Sequence, residues 1–371
     1  MPYHIGFIVE QALGHVTHGQ NLQANVAQDP AVVAHWGLPA WETSGWAARL
    51  PVYRSNWTVR AGWRARRAVA AIHRQSRLDA LFFHTQVTAV LAPDWLRRIP
   101  SVVSLDATPL QYDRLGAYYA HEPGPAWMEQ GKYRLTRRCF RLAQHIVTWS
   151  DWARDGLVAE YGVPAGKITV IPPGVDVAAW QRPTPRQPHD GPVNILFVGG
   201  NLARKGGLLL LEAFRALRQA GLDVTLHLVT RDELPPEPGL SVYRAMQPNS
   251  PALKQLYFAA DIFCLPTYGD CLPMVLSEAG AAGLPAVSTR VAAIPEIVLE
   301  GETGFLVPAG DLTTLTAVLQ RLVTDEALRL RQGQQAVAEV AARYDAAANA
   351  RRLLALLKAT ADPGRVAQEA A

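Results

Sequence analysis

Residues Asp261 to Asp311 read DIFCLPTYGDCLPMVLSEAGAAGLPAVSTRVAAIPEIVLEGETGFLVPAGD, and the fold is decided in this stretch. Ile262 to Leu265 is a short apolar run ending at Pro266, the length and composition of a buried strand. Thr267 to Leu272 follows as a loop with a lone acid, Asp270. Pro273 sits where a helix start tolerates a missing N–H, and Met274 to Ala282 reads as a helix closed by Gly283. Leu284 to Thr289 then returns as a second apolar strand. Strand, loop, helix and strand in succession put a polar loop at the carboxyl end of a strand, where open α/β sheets bind ligands.

Two acids frame that loop, Asp270 and Glu278, with seven residues between them. A carboxylate beside a helix amino terminus can hold vicinal hydroxyls while free N–H groups hold a phosphate. Ribose and diphosphate of a nucleotide present that combination. The competing reading is a solvated loop acid and an exposed helical glutamate.

The arrangement resembles glycosyltransferase family 4, the retaining nucleotide-sugar enzymes with two Rossmann-like lobes, whose mark is an acid, seven residues and a Glu. The segments LPMVLSEAGAAGLPAVST, PEIV and GETGFLVPAGD carry the likeness. The first acid of the family is normally Glu, and Asp270 is one methylene shorter. The resemblance implies an α/β chain of GT-B architecture, two Rossmann-like lobes facing each other across a cleft. Residues 1–172 would form the acceptor-side lobe and 173–344 the nucleotide-sugar lobe. A last helix, about 345–360, would cross back to the first lobe, leaving 361–371 as a disordered tail.

Composition agrees with two domains: 371 residues at 49% hydrophobic can bury two ordinary cores. The start, MPYHIGFIVEQALGH, has no basic leader region, and no run of eighteen apolar residues occurs, so a protein neither exported nor membrane-spanning is expected. Cys139, Cys264 and Cys271 are too few and scattered for a disulfide framework or zinc cluster, which fits a reducing cytoplasm. Charge is uneven: 18 Lys and Arg stand against 12 Asp and Glu through residue 172, then 18 against 20. All ten tryptophans lie at or before Trp180.

In the first half, Ile5 to Val9 is an apolar strand, followed by Gly14, His15 and a helical stretch from Thr17. This resembles the family's first strand and its glycine loop, although Gly14 could equally serve a tight turn. Asp79 to Phe83 and Ser101 to Leu105 read as strands that end at His84 and Asp106. The family's histidine usually follows the strand matched here by SVVSL, so Asp106 is a departure. Trp149 to Asp176, WSDWARDGLVAEYGVPAGKITVIPPGVD, resembles the family's hinge passage, and Gln181 to Pro192 reads as a surface link.

The second half opens with Asn194 to Gly199, another strand, then GGNLARKGGLLLLEAF. Glycines admit a close ligand, and Arg204 and Lys205 bring positive charge to the place of a diphosphate. In the family an Arg after the strand glycine and a Lys before the helix hold the diphosphate. Lys205 matches the Lys, Gly200 occupies the Arg position, and Arg204 is the candidate replacement. Val224 to Val229 reads as the next strand, leading to Thr230 and Arg231, where the family accommodates the base.

The resemblance implies transfer of a sugar from a nucleoside-diphosphate sugar to an acceptor hydroxyl, with retention, no metal and no cofactor beyond the donor. Asp106, Lys205 and Asp270 are then the catalytic candidates. Gly14, Gly199, Arg204, Lys205, Asp270, Leu272, Met274 and Glu278 are the donor-binding ones. No Asp-x-Asp pair, HExxH or GxSxG occurs. Residues 49–77 carry eight arginines and no acid, interleaved with Trp57 and Trp63. Such a stretch is either a solvated helix face or one that lies on anionic membrane, the latter implying a lipid acceptor and a peripheral place at the inner membrane face. Nucleic acid is a poorer partner at a net charge of +4. A non-catalytic nucleotide-sugar-binding protein and a nucleotide-sugar epimerase of the same fold are the alternatives.

Overall fold

The structure is a computed structural model, and it describes residues 1–11, 15–40, 57–116 and 124–362. Gly14, Arg49, Arg54 and the expected tail beyond 362 lie outside the described residues. Among those described, the chain divides into two compact units: Met1–Asp113, Glu122–Pro173 and Ala346–Ala371 form one, and the second is built on Gly174–Asp345.

The first unit holds six parallel strands: β1 (Tyr3–Val9), β2 (Val32–Gly37), β3 (Ala80–His84), β4 (Ser101–Leu105), β5 (His145–Thr148) and β6 (Ile168–Val170). Their order is β2-β1-β3-β4-β5-β6. Central strands of a parallel sheet are covered on both faces, and β3, ALFFH, and β4, SVVSL, are buried at every residue. Alternation along β1 sends Ile5, Phe7 and Val9 into one core with Leu22 and Val26 of helix His15–Val26 and Leu353, Leu354 and Leu357 of helix Ala346–Ala361. Ile8 points into the other core with Ala65 and Val69 of helix Trp57–Gln75, Leu81 and Phe83. The last helix is tied down at its polar edge too, by Lys358 on Asp29 at 2.7 Å and Arg352 Nη2 on the Val170 carbonyl at 2.9 Å.

The second unit repeats the plan with β7 (Val193–Val198), β8 (Val224–Val229), β9 (Leu240–Tyr243), β10 (Ile262–Leu265), β11 (Ala286–Thr289) and β12 (Gly304–Val307), all parallel. The order is β12-β11-β10-β7-β8-β9. Chain direction across the sheet reverses between β1 and β3 in the first unit and between β7 and β10 in the second. Such switch points leave a crevice beyond the strand carboxyl ends. β11 starts two residues later than the sequence pattern implies, because Pro285 has no N–H for the ladder and offers only its carbonyl, to Phe263 at 3.0 Å. Helix His15–Val26 starts two residues earlier than expected, which brings His15 into the site below.

No helix among the described residues is long and apolar enough to cross a membrane, and none of their His, Cys, Asp and Glu side chains group as a metal site.

Candidate functional site

In the second unit the site grows from the loops that leave β7 and β10. Asn201 caps the single turn Leu202–Lys205, its Oδ1 accepting from the Arg204 N–H at 2.8 Å. Gly206 then takes φ +76°, and a Cβ there would stand 1.9 Å from the Pro266 carbonyl oxygen, so only glycine lets the two loops meet. They are zipped together by the Tyr268 N–H on the Arg204 carbonyl at 2.9 Å and by Arg204 Nη1 on the Gly269 carbonyl at 2.7 Å. Arg204 therefore holds the β10 loop in place as well as carrying charge. The zipper brings the Lys205 ammonium onto the Asp270 carboxylate, both side chains about 15% exposed. Burial first and the Arg204 charge second lower the Lys205 ammonium to about 7, with Cys271 opposing.

Helix Met274–Ala281 follows, and it turns Glu278 inward to 5% exposure. The glutamate is thus neither solvated nor on a free helix face. Tyr257, from the Ser250-capped helix Pro251–Ala259, donates its hydroxyl to Glu278 Oε2 at 2.9 Å. Burial pushes the Glu278 carboxyl up to about 7, resisted by the Tyr257 hydrogen bond and the Lys254 charge. Leu272 is buried and Met274 half-buried at the same helix start. Gly199 lacks a Cβ that would come within 2.8 Å of the Phe197 ring and 3.1 Å of Lys205 Cβ.

In the first unit a second polar cluster occupies the carboxyl ends of β1, β3, β4 and β5. Glu10, 3% exposed just past β1, meets His15 Nδ1, while His15 Nε2 lies 3.6 Å from Asp106 Oδ2 at the end of β4. Burial, the largest single influence, works against a charged His15, but the Glu10 and Asp106 carboxylates together raise it to about 10. Two more imidazoles stand behind it. His18 is lowered to about 3 by burial and the His15 charge, and His84 is lowered well below the usual range by burial, His15 and His18. His84 lies flat on Trp149, ring centroids 5.2 Å apart and planes 9° apart, and Trp149 meets His18 edge-on. The cluster is one imidazole held between two acidic side chains and backed by two further imidazoles.

Asp106 follows the end of β4, Lys205 closes the turn after β7 and Asp270 lies in the loop after β10, while Glu278 sits within the helix that follows that loop. Glu10, His15, His18, Trp149 and Tyr257 escaped the sequence reading. The histidines at 15 and 18, one helical turn apart just after the first strand, were a readable signal. Tyr257 offered none, since an aromatic residue in an apolar helix reads as core.

The two halves of the chain match separate family models. The model described as Glycosyltransferase Family 4 covers residues 24–179, and the one described as Glycosyl transferases group 1 covers 192–325. The chain belongs to glycosyltransferase family 4. A similar sequence is D-inositol 3-phosphate glycosyltransferase of Pseudarthrobacter chlorophenolicus, 29% identical over 58% of this chain and 55% of the relative. The chain spans about half the length of the curated relatives it matches. Among solved structures, sucrose-phosphate synthase from Thermosynechococcus elongatus aligns with a TM-score of 0.76 at 17% identity, over 96% of this chain and 98% of that one. The Anabaena protein HepE in complex with UDP-glucose aligns at 0.70 and 16% identity, over 96% and 99%. At these identities the likeness is one of fold.

Proposed function

We propose that this family 4 protein moves a sugar from a nucleoside diphosphate to an acceptor hydroxyl, with retention at the anomeric carbon and without a metal. The observation that carries the reading is the Lys205–Asp270 pair at the β7 and β10 switch point, followed in the next helix by the Glu278–Tyr257 pair. In the reaction the bond from the anomeric carbon to the diphosphate oxygen breaks, and the diphosphate leaves with the electron pair. The acceptor oxygen bonds to that carbon and gives up its proton to the departing diphosphate oxygen. Lys205 would neutralise the departing diphosphate, Glu278 would hold the ribose hydroxyls, and Asp270 would aim Lys205 and face the sugar. The HepE complex supports a nucleotide sugar as the donor class.

The first unit's Glu10, His15 and Asp106 are proposed for the acceptor side. The Asp106 carboxylate accepts hydrogen bonds from hydroxyls, and His15 Nε2 stands 3.6 Å from its Oδ2. The acceptor reading extends to an anionic membrane surface through helix Trp57–Gln75, whose exposed residues include Arg66, Arg67 and Arg74. Arg66 is also paired with Asp94 at 3.0 Å and Arg67 lies over Trp63, so part of that charge is engaged within the unit. Salt-sensitive co-sedimentation with anionic vesicles tests the membrane extension, and its absence ends it.

A thermal-shift panel of nucleotide sugars tests the donor reading. One of them at a hundred times its Kd should stabilise the protein by about 2.7 kcal/mol. No shift with any of them would refute it.

A further inference from the structure

Gly199 and Gly200 stand side by side after β7, the first against the Phe197 ring and the stem of Lys205, the second against Arg231. A Cβ on Gly199 would touch Lys205 Cβ at 3.1 Å, and a Cβ on Gly200 would find only Arg231, its Nε at 3.6 Å and Cζ at 4.0 Å. Two consecutive residues without side chains thus leave bare backbone between the stem of Lys205 and the Arg231 guanidinium.

Arg231 is held there by its neighbours. The Thr230 N–H bonds the Tyr243 carbonyl at 3.1 Å, and Asp232 Oδ2 accepts from the Leu202 N–H at 2.7 Å, tying the loop after β8 to the turn that carries Lys205. The adjacent carboxylate is therefore committed to backbone and to Thr230 Oγ1 at 3.3 Å. Arg231 itself is exposed and, among the described residues, has no hydrogen-bond or ion-pair partner. An arginine fixed at its base and unpaired at its fork, set across a glycine pair from a buried lysine, has the charge and donor geometry for a diphosphate.

We propose that Arg231 is a diphosphate-binding residue of the donor site, reaching over Gly200 to the side of the phosphates opposite Lys205. This rests on the donor reading above. It gives the loop after β8 a phosphate-binding role and relieves Arg204, already engaged with Gly269, of being the replacement cation.

Calorimetry with UDP, GDP and ADP, and with the matching free nucleosides, separates the possibilities. Arg231→Ala should weaken the preferred diphosphate by about tenfold to a hundredfold and leave the nucleoside unchanged. Arg231→Lys should fall between, since an ammonium supplies charge without the fork. Adding Gly200→Arg to Arg231→Ala should recover most of the loss, because removing the Arg231 side chain clears the only atoms a new Cβ would face. An unchanged diphosphate Kd in Arg231→Ala overturns the assignment while leaving the donor reading intact. Equal weakening of nucleoside and diphosphate also overturns it and moves Arg231 to the base. A parent protein that binds no diphosphate refutes the donor reading itself.

Discussion

The Tyr257 hydroxyl donates to Glu278 Oε2 at 2.9 Å, with the tyrosine fully buried and the glutamate nearly so. Removing that donor leaves a buried carboxylate short of a partner. Tyr257→Phe should cost about 1–3 kcal/mol at pH 8, where Glu278 is ionised, and less at pH 5.5, where its folded form carries a proton. Urea denaturation at the two pH values checks this; equal losses would mean the bond is not what holds Glu278.

Lys205→Ala and Glu278→Ala should each weaken donor nucleotide by roughly 1.5–3 kcal/mol, the size of a lost charge-assisted contact, while the chain stays folded. Titration calorimetry paired with circular dichroism reads both parts. Normal donor binding by both variants would remove these residues from the site.

Proton exchange on donor binding should change sign with pH. Lys205 is lowered to about 7, so at pH 8 it is largely neutral and a diphosphate draws a proton onto it. Glu278 is raised to about 7, so at pH 6 it is largely protonated and binding ribose as a carboxylate releases one. Calorimetry in buffers of different ionisation enthalpy should find uptake at pH 8 and release at pH 6, with the release absent from Glu278→Gln.

His15 should make the protein lose stability in mild alkali. Its folded value of about 10 exceeds the unfolded 6.5, so the stabilisation is complete below pH 6.5 and disappears as pH rises to 10. His18 and His84, both lowered, act in the opposite window: folding keeps them neutral, so stability falls as pH drops below 6.5. His15→Asn should flatten the alkaline limb of a stability–pH curve and leave the fall below pH 6.5 in place. An alkaline limb of unchanged slope would show that Glu10 and Asp106 do not clamp a charged ring.

Gly206→Ala should destabilise the second unit by more than about 1 kcal/mol. It adds the cost of a positive φ to a Cβ placed 1.9 Å from the Pro266 carbonyl. Because that contact aligns Lys205 with Asp270, donor affinity should drop further than stability. Gly221, also at positive φ but facing open space, is the control, where alanine should cost only the backbone term.

Legibility differed between the two units for physical reasons. β4, β8 and β10 were read to the residue, because short apolar runs bounded by proline, glycine or a charge have one reading in a parallel sheet. The placement of Asp270 and Glu278 beside one another was legible because a loop and the helix after it are contiguous in sequence: both belong to one unit of chain. The Glu10, His15, His84, Asp106 and Trp149 cluster draws on four strand ends scattered over 140 positions, and nothing local joins them. Asp106 looked like a substituted histidine, and only the fold shows an imidazole beside it, supplied by the next helix over. Glu278 was singled out for the ribose, but its buried hydroxyl partner Tyr257 lies 21 residues earlier on another helix, and nothing local pointed to it.

Helix Ala346–Ala361 lays Leu353, Leu354 and Leu357 into the core of the amino-terminal sheet. On the ribosome, that sheet must therefore wait for a helix made after the whole of Gly174–Asp345. Its Ile5, Phe7 and Phe82 stay without their covering helix while Gly174–Asp345, continuous in sequence, emerges with all six of its own strands and can close ahead of them. The order of synthesis and the order of completion run in opposite directions. A chain stalled near residue 345 would present the strands of the second unit together with a first sheet whose core, covered by Leu22 and Val26, still lacks Leu353, Leu354 and Leu357.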